Sequence, residues 1–225
     1  MNAEAGTGAD AGAESSAGTG AAAEPSRVRP RNRRGEGGRL RADILAATAE
    51  LLDAEGGDER AVTLRAVARR AGIAAPSIYP HFHDKPALML QVVRQAFAEL
   101  SVRIRAALDR AGDDPRERLS AVCLAYLAFA HDHPERYRVM FGGSWNPLAG
   151  SGSEETVGEE PMRILADSIG DCVAAGHCTS TDPAADAVAL WLGLHALAHQ
   201  RAVATAFPWP ADIVQRIAVS LSHLV

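Results

Sequence analysis

From Leu40 onward the apolar positions recur at intervals of three and four. Leu40, Ile44, Thr48, Leu51 and Leu52 share one side of a helix, with Asp43, Glu50 and Asp53 off it. The pair Gly56–Gly57 predicts where that helix stops. Thr63 then stands as an N-cap before a helix in which Leu64, Val67, Ala68 and Ala71 face inward while Arg65, Arg69 and Arg70 face out. Gly72 predicts a left-handed stop. Asp84 is the next N-cap, with Pro86 tolerated in the first turn of a long helix running to about Leu108. The same reading predicts helices from Asp114–Pro115 to His131, from Pro134 to Phe141, over Glu160–Ala175, over Pro183–Ala206 and over Pro210–Leu224. Gly142–Glu159 is polar and predicts a long loop. No stretch alternates with the period of a strand, so the fold class is all-α.

The segment between the second and third of these helices does not follow the pattern. In "RRAGIAAPSIYPHFHDKPALM", Arg69–Met89, a Gly, three Pro, two His, a Tyr and a Lys crowd between two apolar runs. Residues 63–79 read as helix, turn and helix: the turn is Gly72–Ala74, and the second helix is only about Ala75–Tyr79. Ala68 is small where two helices cross closely, and Ile73 and Ile78 seat the second helix on a core. That arrangement sets a recognition helix into a DNA major groove. Its outer face offers Ala75, Pro76 and Ser77 to base edges. Tyr79 and His81 are placed to donate to phosphates, and Lys85 adds charge at a helix start whose backbone N–H groups already favour an anion. Thr63 and Arg65, at the start of the preceding helix, complete the predicted DNA-facing set.

Charge sharpens this picture. The chain of 225 residues has a net charge of −5, but residues 27–85 carry twelve Lys/Arg against eight Asp/Glu, while residues 86–225 carry eleven against sixteen. A cationic front on an acidic body points to a polyanion met by the front alone. Arg27–Arg41 holds seven Arg and one acid; either it is a solubilising tail, or it is an arm whose Arg33 and Arg34 follow phosphates or enter a minor groove. Residues 1–26 carry four acids and no base and are too poor in apolar bulk to offset the entropy of ordering. They predict a disordered start with no secretory core, consistent with a cytoplasmic protein.

Thr63–Leu88, "TLRAVARRAGIAAPSIYPHFHDKPAL", resembles the N-terminal DNA-binding domain of TetR-type transcriptional regulators. The match lies in the Gly-apolar turn, in Tyr79, His81 and Phe82, and in Lys85 before the next helix. Ala74 stands where that family often places a capping Ser or Thr. The resemblance implies a homodimeric one-component repressor released by a ligand: after the disordered arm over 1–38, a three-helix helix-turn-helix domain over 39–85 and a larger helical ligand-binding and dimerisation domain over 86–225. It further implies a double-stranded, pseudo-palindromic operator, a partly apolar small-molecule effector, and a dimer formed through the last two helices. His131–Phe141 and "WLGLH", Trp191–His195, are similar to the subgroup named for a Trp-His-Gly motif, with Ala196 where the Gly is expected.

In the body, Tyr126, Phe129, His133, Tyr137, Met140, Trp145, Trp191 and His195 are the candidate pocket residues, although aromatic and Met side chains at helical spacing are more often plain core. His195 and His199 share a helix face at i and i+4, a spacing that suits a metal. Ala196 replaces the Glu of a zinc-protease helix and no third ligand is evident, so neither metal nor cofactor is expected. Cys123, Cys172 and Cys178 form no CxxC pair and read as reduced thiols. The most apolar run, Leu119–Ala130, is twelve residues, short of the roughly twenty a membrane span needs. No nucleophile–base pair or phosphate-cradling loop suggests an enzyme. A helical carrier or enzyme without a DNA-binding role, and a partner-binding protein using the Trp191 face, remain the alternatives.

Overall fold

The computed structural model describes residues 37–142 and 157–225. Their helices are α1 (Gly37–Ala54), α2 (Leu64–Ala71), α3 (Lys85–Leu108), α4 (Pro115–Asp132), α5 (Pro134–Gly142), α6 (Glu159–Ala174), α7 (Pro183–Val203) and α8 (Ile213–Leu221). Among the described residues there is no strand; an isolated antiparallel bridge ties Cys178 to Leu224 near the chain end. Arg33, Arg34 and Trp145 lie outside the described residues, as does most of the predicted polar loop.

Local chemistry sets the helix starts. Thr63 Oγ1 accepts from the Ala66 N–H, Asp84 Oδ1 from Ala87, Asp114 Oδ1 from Arg116 and Asp182 Oδ1 from Ala185. Each satisfies a backbone donor that the first helical turn leaves open. α2 ends at Gly72, whose φ of 67° lies in the left-handed region. Four boundaries differ from the pattern-based expectation. α1 begins at Gly37, inside the segment expected to be an arm; α7 stops at Val203; and α8 begins only at Ile213 and ends at Leu221. The Pro208–Trp209–Pro210 run explains the end of α7 and the start of α8, because proline lacks a donor and biases its predecessor away from helix.

Two hydrophobic cores result. In the first, Ile44, Leu45 and Leu52 of α1, Val67 and Ala68 of α2, Ile78, Phe82 and the first half of α3 enclose a small head. In the second, the rest of α3 packs with α4, α6, α7 and α8 around Leu119, Phe129, Ile169, Leu190 and Leu194. α3 runs through both. So does α5, whose neighbouring residues part company: Val139 is buried in the head core and Met140 in the body core.

The close approach of α5 to the head depends on Gly57. Its φ is +79°, and an added Cβ would sit 3.3 Å from the Glu135 carbonyl oxygen of α5. Beside it, the Arg138 guanidinium donates to the Gly56 carbonyl. Gly57→Ala is therefore expected to destabilise the protein by about 1–2 kcal/mol, the penalty of a left-handed L-residue, with the steric conflict added. Urea unfolding of the variant beside the parent measures it; equal midpoints would show that the chain relaxes around this contact.

Candidate DNA-binding head and ligand cavity

The head presents a compact polar surface beyond Gly72. The predicted helix over Ala75–Tyr79 is shorter than expected: it is a single 3₁₀ turn, Ala75–Ser77, with Pro76 in its first turn and no side-chain cap from Ala74. Without the capping oxygen, and with a proline that donates no hydrogen bond, a longer α-helix has little to nucleate it. Ile78 is fully buried and anchors the turn, while Tyr79 is 58% exposed. Thr63, Arg65 and Pro76 are exposed, and Ala75, Ser77 and His81 are partly so. Lys85 stands apart from this set: it is partly buried, and its ammonium donates to the Glu59 carbonyl, bracing the start of α3 against the loop after α1. Arg70 is paired with Glu50 at 2.9 Å and is likewise an internal tie of the head.

In the body, a cavity of about 480 Å³ opens between α3, α4, α5, α6 and α7. α3 supplies Phe97, Leu100 and Ile104; α4 supplies Val122 and Tyr126; α5 supplies Phe141; α6 supplies Met162 and Leu165; α7 supplies Val188, Trp191 and Leu194. Of the predicted pocket residues, Tyr126 and Trp191 line it. Tyr137 and His195 stand directly behind: the Tyr126 and Tyr137 hydroxyls are 2.8 Å apart, and the Tyr137 hydroxyl is 2.6 Å from His195 Nδ1. Phe141 stacks its edge on His195 at 4.7 Å and lies 6.0 Å from Trp191.

Three predicted pocket residues belong elsewhere. Phe129 and Met140 are sealed in the body core. His133 follows the end of α4, where it meets Arg103 in a cluster that also holds Glu99, Arg136 and Asp132. Charge, not cavity shape, placed that histidine. What the sequence reading missed is the contribution of α3 and α6. The spacing of Phe97, Leu100 and Ile104 puts them on one helix side, but nothing local distinguishes a cavity wall from solid core.

Burial shifts the titration of all three members of the hydrogen-bonded trio. Desolvation pushes the Tyr137 phenol up to about 12 and the Tyr126 phenol well above its ordinary 10.0. Desolvation first, and His199 second, lower the imidazole of His195 below 6.5. Among the described residues, no group of three His, Cys, Asp or Glu could hold a metal ion. Cys123 and Cys172 are buried, and burial raises their thiols to about 12 and about 11.

Two family models match the chain: a TetR-family bacterial regulatory domain over residues 44–92 and a tetracyclin repressor-like C-terminal domain over residues 119–224. The chain belongs to the TetR family. The HTH-type transcriptional activator FasR of Mycolicibacterium smegmatis is 33% identical over 101 residues, 45% of each chain. The nucleoid occlusion factor SlmA of Photobacterium profundum is 30% identical over 102 residues, 45% of this chain and 51% of its own. The chain thus spans about half the length of these curated relatives. A solved protein of unknown function from Rhodococcus sp. RHA1 superposes with a TM-score of 0.70 at 26% identity, over 81% of this chain and 93% of its own. The TetR-family regulator PfmR of Thermus thermophilus shares the fold at 20% identity and a TM-score of 0.56, over 81% of this chain and 98% of its own. Among the described residues of this TetR-family chain, no helix is long and apolar enough to cross a membrane.

The lowered His195 value makes a pH prediction. Between that value and the ordinary 6.5, the unfolded chain binds the proton more readily than the folded one, so stability rises with pH and levels off above 6.5. The facing groups are Tyr126 on α4, Tyr137 on α5 and His199 on α7. His195→Gln is expected to flatten the rise of Tm from pH 5 to 7, measured by thermal denaturation across that range. An unchanged slope would assign the dependence to other groups.

Proposed function

We propose that the protein is a DNA-binding transcriptional regulator: a homodimer that grips a pseudo-palindromic operator and, as a repressor, is released by a small molecule entering the body. The observation that carries this reading is the head surface. A turn projected past a left-handed glycine leaves Tyr79 open to solvent, with Ser77 and His81 partly exposed and Thr63 and Arg65 exposed, all within the cationic stretch of the chain. Base contact falls to Ser77 and to the small Ala75 and Pro76. With so few reading groups, DNA shape carries more of the specificity. Arg33 and Arg34, in the Arg-rich stretch that precedes α1 in the sequence, supply further positive charge for phosphate or minor-groove contact. Two such heads about 34 Å apart would reach successive major grooves.

The dimer reading is supported by an apolar stripe on α7 and α8. Leu192 and Val203 fall on one side of α7 and are exposed, as is Val219 of α8. Exposed aliphatic side chains on two packed helices suit a two-fold helical interface. The effector reading is supported by the 480 Å³ cavity, a size typical of small-molecule sites. Its wall residue Phe141 lies on the same short helix as Val139 and Arg138, which hold the head. A molecule that displaces Phe141 therefore displaces head contacts two residues away. The relatives named as regulators favour the same class of activity over catalysis.

Selection from random duplex is expected to return an inverted repeat, with affinity falling steeply as salt rises because phosphate contacts release counterions. Tyr79→Ala should weaken binding to that duplex by about tenfold with little change in Tm, since its ring is exposed. Lys85→Ala should lower Tm as well, because its ammonium holds the Glu59 carbonyl. No consensus from the selection, or salt-independent affinity, would remove the DNA-binding assignment.

A further inference from the structure

The cavity in the body is walled almost entirely by carbon. Apart from Tyr126, the ionisable residue on its lining is Glu159, which is exposed at the rim. The guanidinium groups nearby on α3 and α5 are already engaged: Arg105 with Glu160, Arg103 and Arg136 with Glu99. Among the described lining residues, a carboxylate or phosphate drawn inside would lose its hydration with no cation to replace it. A cation would find aromatic faces there but no buried carboxylate.

Beside the indole N–H of Trp191, this wall carries a polar relay. Tyr126 lines the cavity, its hydroxyl meets that of Tyr137 at 2.8 Å, and Tyr137 meets His195 Nδ1 at 2.6 Å. A hydroxyl donates one hydrogen bond and accepts others, and a neutral imidazole nitrogen does one or the other according to its tautomer. With His195 Nδ1 as acceptor, the protons point from Tyr126 through Tyr137 to the ring, and Tyr126 offers lone pairs to an occupant. With Nδ1 protonated, the order reverses and Tyr126 donates. The two tautomers exchange no net charge with the cavity.

We propose that the cavity selects an uncharged, largely apolar molecule with a single hydrogen-bonding group, which the Tyr126 hydroxyl meets as donor or acceptor through the Tyr137–His195 relay. This deepens the effector reading above and rests on it.

Four probes with one hydrocarbon tail test the selection on the full-length protein: decan-2-one, decan-2-ol, decanoate and decyltrimethylammonium, titrated at pH 8 by calorimetry and by quenching of tryptophan fluorescence. The ketone and the alcohol are expected to bind within about tenfold of each other, and both charged probes about 100-fold more weakly or worse. Tyr126→Phe should weaken the ketone about 3- to 10-fold. Decanoate or the ammonium binding as tightly as the ketone, undiminished ketone binding by Tyr126→Phe, or no probe bound at all would each overturn the proposal. DNA binding by the parent protein is measured separately. Neutral-probe selectivity in a protein that binds no duplex would leave the cavity assignment standing while the regulator reading falls.

Discussion

The structure depends on one short helix having two masters. α5 is nine residues long, yet Val139 is buried among α1, α2 and α3 while Tyr137, Met140 and Phe141 pack on the body. A helix is about 10 Å across, so no residue of α5 can move far without both cores sensing it. Gly57 in its left-handed conformation and the Arg138 contact to the Gly56 carbonyl hold the helix against the head. The remainder of this junction is loosely filled: a groove of about 320 Å³ lies between α1, α3 and α5, bordered by Ala42, Ala46 and Ala49. A joint made of a few firm contacts beside open space can rotate, where a solid interface would resist.

The electrostatic layout serves the same division. The Glu99 cluster, with Arg103, Arg136 and His133, ties α3 to the end of α4 and to α5 by charge beside the apolar contacts these helices share. Lys85 and Arg70, cations of the head, are engaged by the Glu59 carbonyl and by Glu50. In the proposed DNA-binding role, contact falls to side chains that the fold leaves at the surface, Tyr79 among them. In the body the acidic excess stays outside, and the cavity wall is left to aromatic and aliphatic groups.

The helix-turn-helix was legible in the sequence because its signals are local: Thr63 and Asp84 cap, Gly72 stops, and Ile78 anchors, each within a few residues of what it controls. The helix inventory was legible for the same reason, down to the proline-led starts of α4 and α7. The cavity was half legible. Tyr126, Trp191, Tyr137 and His195 carry chemistry that marks them, and they do come together. Phe129 and Met140 carry the same composition but sit where the helices close completely, and His133 was captured by Arg103. Whether an apolar residue faces space or another side chain is decided by helices distant in sequence, so no local pattern encodes it. The bridging role of α5 was hidden for that reason too: Val139 and Met140 look alike in sequence and belong to different cores.

The claim that cavity and head communicate through α5 can be tested without any effector. Leu165→Trp adds bulk to the cavity from α6. Affinity for the selected duplex is then compared between this variant and the parent, at equal salt and after both are shown to be folded. A cavity coupled to the head predicts a shift of about fivefold or more, the lower end of usual allosteric coupling. Affinity equal to the parent's, with the cavity demonstrably filled, would contradict it.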